Sequence, residues 1–216
     1  MTGHYGSGKT ELAINFAICS RLAGSKVALI DLDIANPYFR SRERAPLLAA
    51  KDIDLISNAY DCDITADLPA LSSRIGKYIM AEDYQSVVDV GGNDSGARIL
   101  NQYMATLKNI DSCILMVVNT YRPETDDAPK IIEMARSIEA EIGWKIHGIV
   151  NNSNLLEATR FGHITDSVKL LEQVSALTGI PVVANCCKRE FYDELTCYSA
   201  AAFPIDLFMR PKWLDS

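Results

Sequence analysis

The sequence of 216 residues has no apolar run long enough to span a membrane and no charged-then-apolar leader, so a cytoplasmic location is expected and a membrane partner is not. It also has no basic excess. Lys and Arg number 21 against 28 Asp and Glu, a formal net charge of -7 with a pI near 5.0, which disfavours broad nucleic-acid binding. Paired C-x-x-C spacing is missing among Cys19, Cys62, Cys113, Cys186, Cys187 and Cys197, arguing against a disulfide framework and against a zinc or iron–sulfur site. Buried reduced thiols are expected instead, with Cys186–Cys187 the pair to test for redox chemistry. Internal repeats, low-complexity tracts and linkers are lacking too. The expectation is one domain over residues 1–216, of ordinary globular composition.

Short apolar runs alternate with helical patterns along this chain. Lys26–Asp31, Asp52–Ser57, Ser86–Gly92, Ser112–Asn119, Lys145–Asn152 and Ile180–Asn185 are rich in Val and Ile, as strands buried on both faces are. Between them, Leu68–Met80, Ala97–Leu107, Ala128–Ile142 and Ile164–Leu177 carry helical spacing, and the final "FPIDLFMRPKWLDS" reads as a last strand and a packed tail. The alternation predicts an α/β fold, a mainly parallel twisted sheet with helices on both faces. In such sheets ligands bind beyond the carboxyl ends of the strands.

The first ten residues carry the strongest chemistry. "GHYGSGKT", Gly3 to Thr10, fits G-x-x-x-x-G-K-[ST], in which Gly3, Gly6, Ser7 and Gly8 let successive backbone N–H groups curl around phosphate oxygens. Lys9 would reach the β- and γ-phosphates, and Thr10 would offer its hydroxyl to Mg²⁺. The apolar-spaced "KTELAINFAICSRLA" then places a helix N-terminus behind the anion. A phosphate loop normally follows a buried strand, and only Met1 and Thr2 precede Gly3, so the first strand is expected to be missing from this chain.

Carboxylates stand at two further strand ends. "DLDIANPYFRSRER" brings out Asp31 and Asp33, two residues apart, in position to hold the Mg²⁺ shell and to orient an attacking water. "SVVDVGG" ends an apolar strand in Asp89, followed by Gly91 and Gly92, which would let the loop approach a γ-phosphate and move when it leaves. Guanine-specific phosphate-loop proteins use N-K-x-D. Here "NNSNL" has Asn154 where the carboxylate would be, while the amides of Asn151 or Asn152 suit an adenine edge, so ATP is favoured over GTP.

On "GHYGSGKTE", "ALIDLDIANPY" and "VVDVGG" the chain resembles the MinD/ParA group of P-loop ATPases, within the CobQ/CobB/MinD/ParA class that also holds dethiobiotin-synthetase-type enzymes. "DLDIANPYFRSRE", "ADLPALS" and "RPKWL" are similar to a little-characterised bacterial subgroup of it. The resemblance implies an ATP-dependent switch with slow hydrolysis, often dimerising across the nucleotide. It also implies Lys9 and Thr10 on phosphate and Mg²⁺, Asp31 and Asp89 in the metal shell, and Asp33 positioning water. The group's signature lysine falls at His4, a shorter and only partly charged side chain. Arg40, Arg42 and Arg44 are candidates to replace it, or are solvated. Tyr38 and Phe39 among these arginines suggest that Asn36–Arg44 docks an unknown protein partner or small substrate. A small-molecule kinase or ATP-dependent ligase of the dethiobiotin-synthetase/CobQ type is the alternative, and a nucleotide-holding module without turnover a third. His147 and His163 are assigned no role.

Overall fold

The structure is a computed structural model that describes residues 1–32, 44–57, 68–91 and 100–209. By their contacts these fall into two compact units. The first comprises Met1–Lys9 and Cys113–Asp206, and the second Thr10–Ser112 with the tail from Leu207 onward.

In the second unit α1 (Lys9–Leu22, contributing all but its first residue), β1 (Lys26–Asp31), α2 (Ala45–Ala50), β2 (Ile53–Ser57), α3 (Leu68–Met80), β3 (Tyr84–Asp89) and α4 (Met104–Leu107) follow in order. Their strands make a parallel sheet in the order β2-β1-β3. Every residue of β1 after Lys26 is buried, as a run without polar alternation requires. Leu12, Ile14, Leu29, Ile30, Leu48, Ile56 and Ile75 supply large, fully buried side chains. Tail and helix meet through Glu11, whose carboxylate accepts the backbone N–H groups of Phe208 and Met209.

The first unit holds β4 (Leu115–Val118), α5 (Ala128–Ile142), β5 (Gly148–Asn151), α6 (Phe161–Thr178), β6 (Val182–Lys188), α7 (Tyr192–Tyr198) and β7 (Ala202–Ile205). Here the sheet runs β4-β5-β6-β7, again wholly parallel. Thr2 adds one parallel bridge to β4, donating to the Leu115 carbonyl at 2.9 Å and accepting from the Val117 N–H at 2.8 Å. Ile164, Val168, Cys187 and Leu195 form a buried cluster that packs with Phe161, Phe191 and Tyr192. Asp127 caps α5 by accepting the Lys130 N–H at 2.9 Å, and Gly143 ends it in the left-handed region.

The architecture is the α/β, parallel-stranded one expected. Most differences lie at element ends. β4 begins at Leu115, not Ser112, because the Nδ1 of His147 accepts the Ile114 N–H at 3.0 Å where a ladder bond would stand. The strand β6 continues to Lys188, taking in both adjacent cysteines. The pattern over Ala97–Leu107 yields, in its described part, helix at residues 100–101 and again in α4, interrupted by a turn. Among the described residues no helix is long and apolar enough to cross a membrane.

Candidate functional site

In the first unit the run from Gly3 to Lys9 forms a curled loop. His4 to Ser7 is a turn closed by the Ser7 N–H donating to the His4 carbonyl at 3.2 Å, with Gly6 at φ 77° in the position that needs a left-handed residue. Gly8 follows at φ 83°, and a Cβ there would collide with the amide of Asn152. Lys9, almost fully buried, folds its ammonium back onto the same His4 carbonyl at 2.9 Å. The Oγ of Ser7 is buried with no hydrogen-bond partner among the described residues. A buried hydroxyl in that state is costly, and an acceptor such as a phosphate oxygen would satisfy it.

His4, at the position of the group's signature lysine, donates Nδ1–H to the Tyr5 carbonyl at 2.9 Å and lies 3.7 Å from Glu124 Oε2. Tyr5 beside it is 60% exposed. Two side chains hold the loop from outside. Arg122 Nε donates to the Gly6 carbonyl at 3.1 Å and Asn152 Nδ2 to the Ser7 carbonyl at 2.8 Å. The Gly-rich pattern gave no sign of Arg122. Its signal was place: "NTYRPE" follows directly on β4, at the carboxyl edge where such sheets bind ligands.

Asn151, expected at a base edge, lies in the core. Its Nδ2 donates to Ser167 Oγ and to Asn185 Oδ1, both at 2.9 Å, and its Oδ1 accepts the Ser153 N–H. The last residue of β5 is 1% exposed, and an amide buried there must be satisfied by protein groups. Asn154 is likewise engaged, with Nδ2 on the Asn152 carbonyl and Oδ1 on the Leu156 N–H.

In the second unit, Thr10 Oγ1 donates to Asp89 Oδ2 at 2.6 Å. Asp31 and Asp89 end β1 and β3 at paired register positions, both buried, with Gly91 buried just beyond. A threonine hydroxyl and carboxylates are oxygen ligands of the kind that hard cations such as Mg²⁺ take, together with waters and phosphate oxygens. Among the described residues no group of three or more His, Cys, Asp or Glu is arranged to hold a metal. Asp33, Gly92, Arg40, Arg42 and the rest of the Asn36–Glu43 segment lie outside the described residues. Arg44 is described, and its Nε donates to the Phe208 carbonyl.

The adjacent cysteines Cys186 and Cys187 are buried as expected, whereas Cys19, Cys113 and Cys197 are exposed. Burial, aided by its neighbour, pushes the Cys186 thiol far above its ordinary range, and burial carries Cys187 up to about 11.

A Gly-rich loop with its lysine at the start of a helix, on a parallel α/β scaffold, defines a nucleotide-binding protein of the P-loop class. The model of the CobQ/CobB/MinD/ParA nucleotide-binding domain matches residues 2–165, and the chain belongs to that family. Curated proteins gave no match. Among solved structures, FtsY of Mycoplasma mycoides superposes with a TM-score of 0.55 at 15% identity, covering 84% of this chain and 56% of its own. FtsY of Thermotoga maritima gives 0.54 at 19% identity, with 84% and 58% covered. A nucleotide-binding protein of Archaeoglobus fulgidus, solved in complex with ADP, gives 0.51 at 15% identity, with 100% and 88% covered. At these identities the likeness is one of fold, and the chain spans little more than half the length of the FtsY proteins.

Proposed function

We propose that this chain is a Mg²⁺-dependent ATPase of the MinD/ParA type, slowly hydrolysing ATP to ADP and phosphate and changing its binding surfaces with the nucleotide held. The observation that carries this reading is the 2.6 Å hydrogen bond from Thr10 to Asp89, which links the residue after the loop lysine to a buried strand-end carboxylate. Residues 1–216 act in this reading as one nucleotide-binding domain.

The loop N–H groups, Ser7 Oγ and Lys9 would hold the phosphates, the lysine exchanging its His4 carbonyl for the β- and γ-oxygens. Mg²⁺, held by Thr10 with Asp31 and Asp89 around it, would neutralise charge on those oxygens when bound. Gly91 and Gly92 would give the γ-phosphate loop its freedom, and Asp33 would orient the attacking water. The missing carboxylate at Asn154 supports adenine over guanine. Dimerisation across the nucleotide, and a partner or small substrate at Asn36–Arg44, belong to the same proposal.

Measured nucleotide affinity and phosphate release test it. Lys9→Ala is expected to weaken ATP binding at least about tenfold, some 1.4 kcal/mol. Asp33→Ala should keep binding and lose about a hundredfold or more in turnover, the scale of a lost general base. Equal binding by Lys9→Ala would defeat the loop assignment. Phosphate release that needs an added metabolite would move the protein to the kinase or ligase class.

A further inference from the structure

The two contacts on the outer side of the loop do more than pack it. In a curled phosphate loop the N–H groups face inward and the carbonyls outward, and each peptide unit is a rigid plane. Holding the carbonyl of one residue therefore fixes the direction of the next residue's N–H. Arg122 holds the Gly6–Ser7 peptide, the unit whose N–H closes the turn on His4, and Asn152 holds the Ser7–Gly8 peptide that follows it.

Arg122 is itself anchored. Its N–H donates to the Asn119 carbonyl at 3.1 Å and its carbonyl accepts the Thr125 N–H at 2.9 Å. The Thr125 hydroxyl also donates to the Asn119 carbonyl at 2.7 Å. The Asn119 side chain bridges to the segment after β5, donating to the Asn154 carbonyl and accepting the Asn154 N–H. Thr120 N–H adds a bond to Ser153 Oγ at 3.0 Å. The segments after β4 and β5, which carry the two side chains, are thus tied to each other as well as to the loop.

We propose that Arg122, working beside Asn152, is a positioning residue for nucleotide phosphate: a two-point clamp that keeps the loop curled before ligand arrives. The proposal rests on the phosphate-loop reading of Gly3–Lys9. Because it acts on the loop and not on the γ-phosphate, it serves ATP and ADP alike. Its working part is the Nε donor, not the positive charge. Glutamine carries a neutral N–H₂ donor the same number of bonds from Cβ as arginine Nε, whereas lysine keeps the charge and places its donor one atom further out.

Dissociation constants for Mg-ATP and Mg-ADP, with the ligand-free unfolding midpoint, test it on the full chain. Arg122→Ala should weaken both nucleotides about tenfold, and Arg122→Gln should stay within about threefold of wild type. Arg122→Lys should resemble Ala. The ligand-free midpoint should hardly move in any of them, since Arg122 is exposed. Loss in Arg122→Gln with rescue in Arg122→Lys would show that charge alone matters and would overturn the clamp, as would an Ala variant that binds like wild type. If wild type binds no nucleotide, or Lys9→Ala binds equally well, the loop reading itself falls and the clamp with it.

Discussion

Thr10 is the residue at which the proposed metal role is best tested, because its hydroxyl donates to Asp89 and would keep its lone pairs for a cation. Removing the hydroxyl should leave the loop lysine and N–H groups able to hold phosphate. We therefore expect Thr10→Ala to bind ADP without metal about as wild type does, and to lose most of the affinity that added Mg²⁺ confers. Titrations with and without Mg²⁺ in a chelator-controlled buffer measure it. An undiminished Mg²⁺ effect would take Thr10 out of the metal shell. At this scale the curled backbone of Gly3–Lys9 was legible because its glycines fall where the turn needs a left-handed residue. Arg122 was not, because its partner is a backbone carbonyl 116 residues away, and no local spacing encodes that meeting. The placement of Asn151 was not legible for a related reason: an amide at a strand end reads the same whether it faces a ligand or, as here, hydrogen-bonds to Ser167 and Asn185.

At the scale of elements, β1 and α5 match their sequence ranges because their signals are local: a continuous apolar run for one, and for the other helical spacing between the Asp127 cap and Gly143. Ends set by tertiary partners were not legible, as where His147 intercepts a ladder bond at the start of β4. The passage from α5 to β5 offers a test of such a junction. Glu139 near the end of α5 accepts the Ile146 N–H at 3.0 Å and pairs with Lys145 at 2.8 Å. Burial pushes its carboxyl up, but Lys145 and the Ile146 N–H outweigh that and hold it below the ordinary carboxylate range. With the folded value below the unfolded one, near 4.3, the contribution is fully present above that pH and is lost as pH falls through the folded value. Lys145 is 81% exposed, so the pair itself adds little and the backbone bond carries the effect. Glu139→Ala should cost about 1 kcal/mol or somewhat more at pH 7. The difference from wild type should shrink toward pH 3, as denaturant titrations at the two pH values would show.

For the molecule as a whole, the question is whether two contact-defined units behave as one nucleotide-binding domain. Each has its own parallel sheet, and local stability can vary from one part of a chain to another. In sequence the motif from Gly3 to Thr10 is divided between them: Gly3–Lys9 and Arg122 belong to the first unit, and Thr10, Asp31 and Asp89 to the second. A ligand that binds only the native form stabilises whatever it needs ordered, by about 2.7 kcal/mol at a hundred times its dissociation constant. If one Mg-nucleotide needs both halves of the motif, exchange must slow in both units together. Amide hydrogen exchange read on peptides covering β5 and β3 should then show added protection in each with Mg-ADP. Without Mg²⁺ the gain should fall mainly on the unit that holds the loop. Protection confined to that unit even with Mg²⁺ present would mean that the strand-end carboxylates of β1 and β3 serve some other ligand, and the single-domain reading would have to be given up.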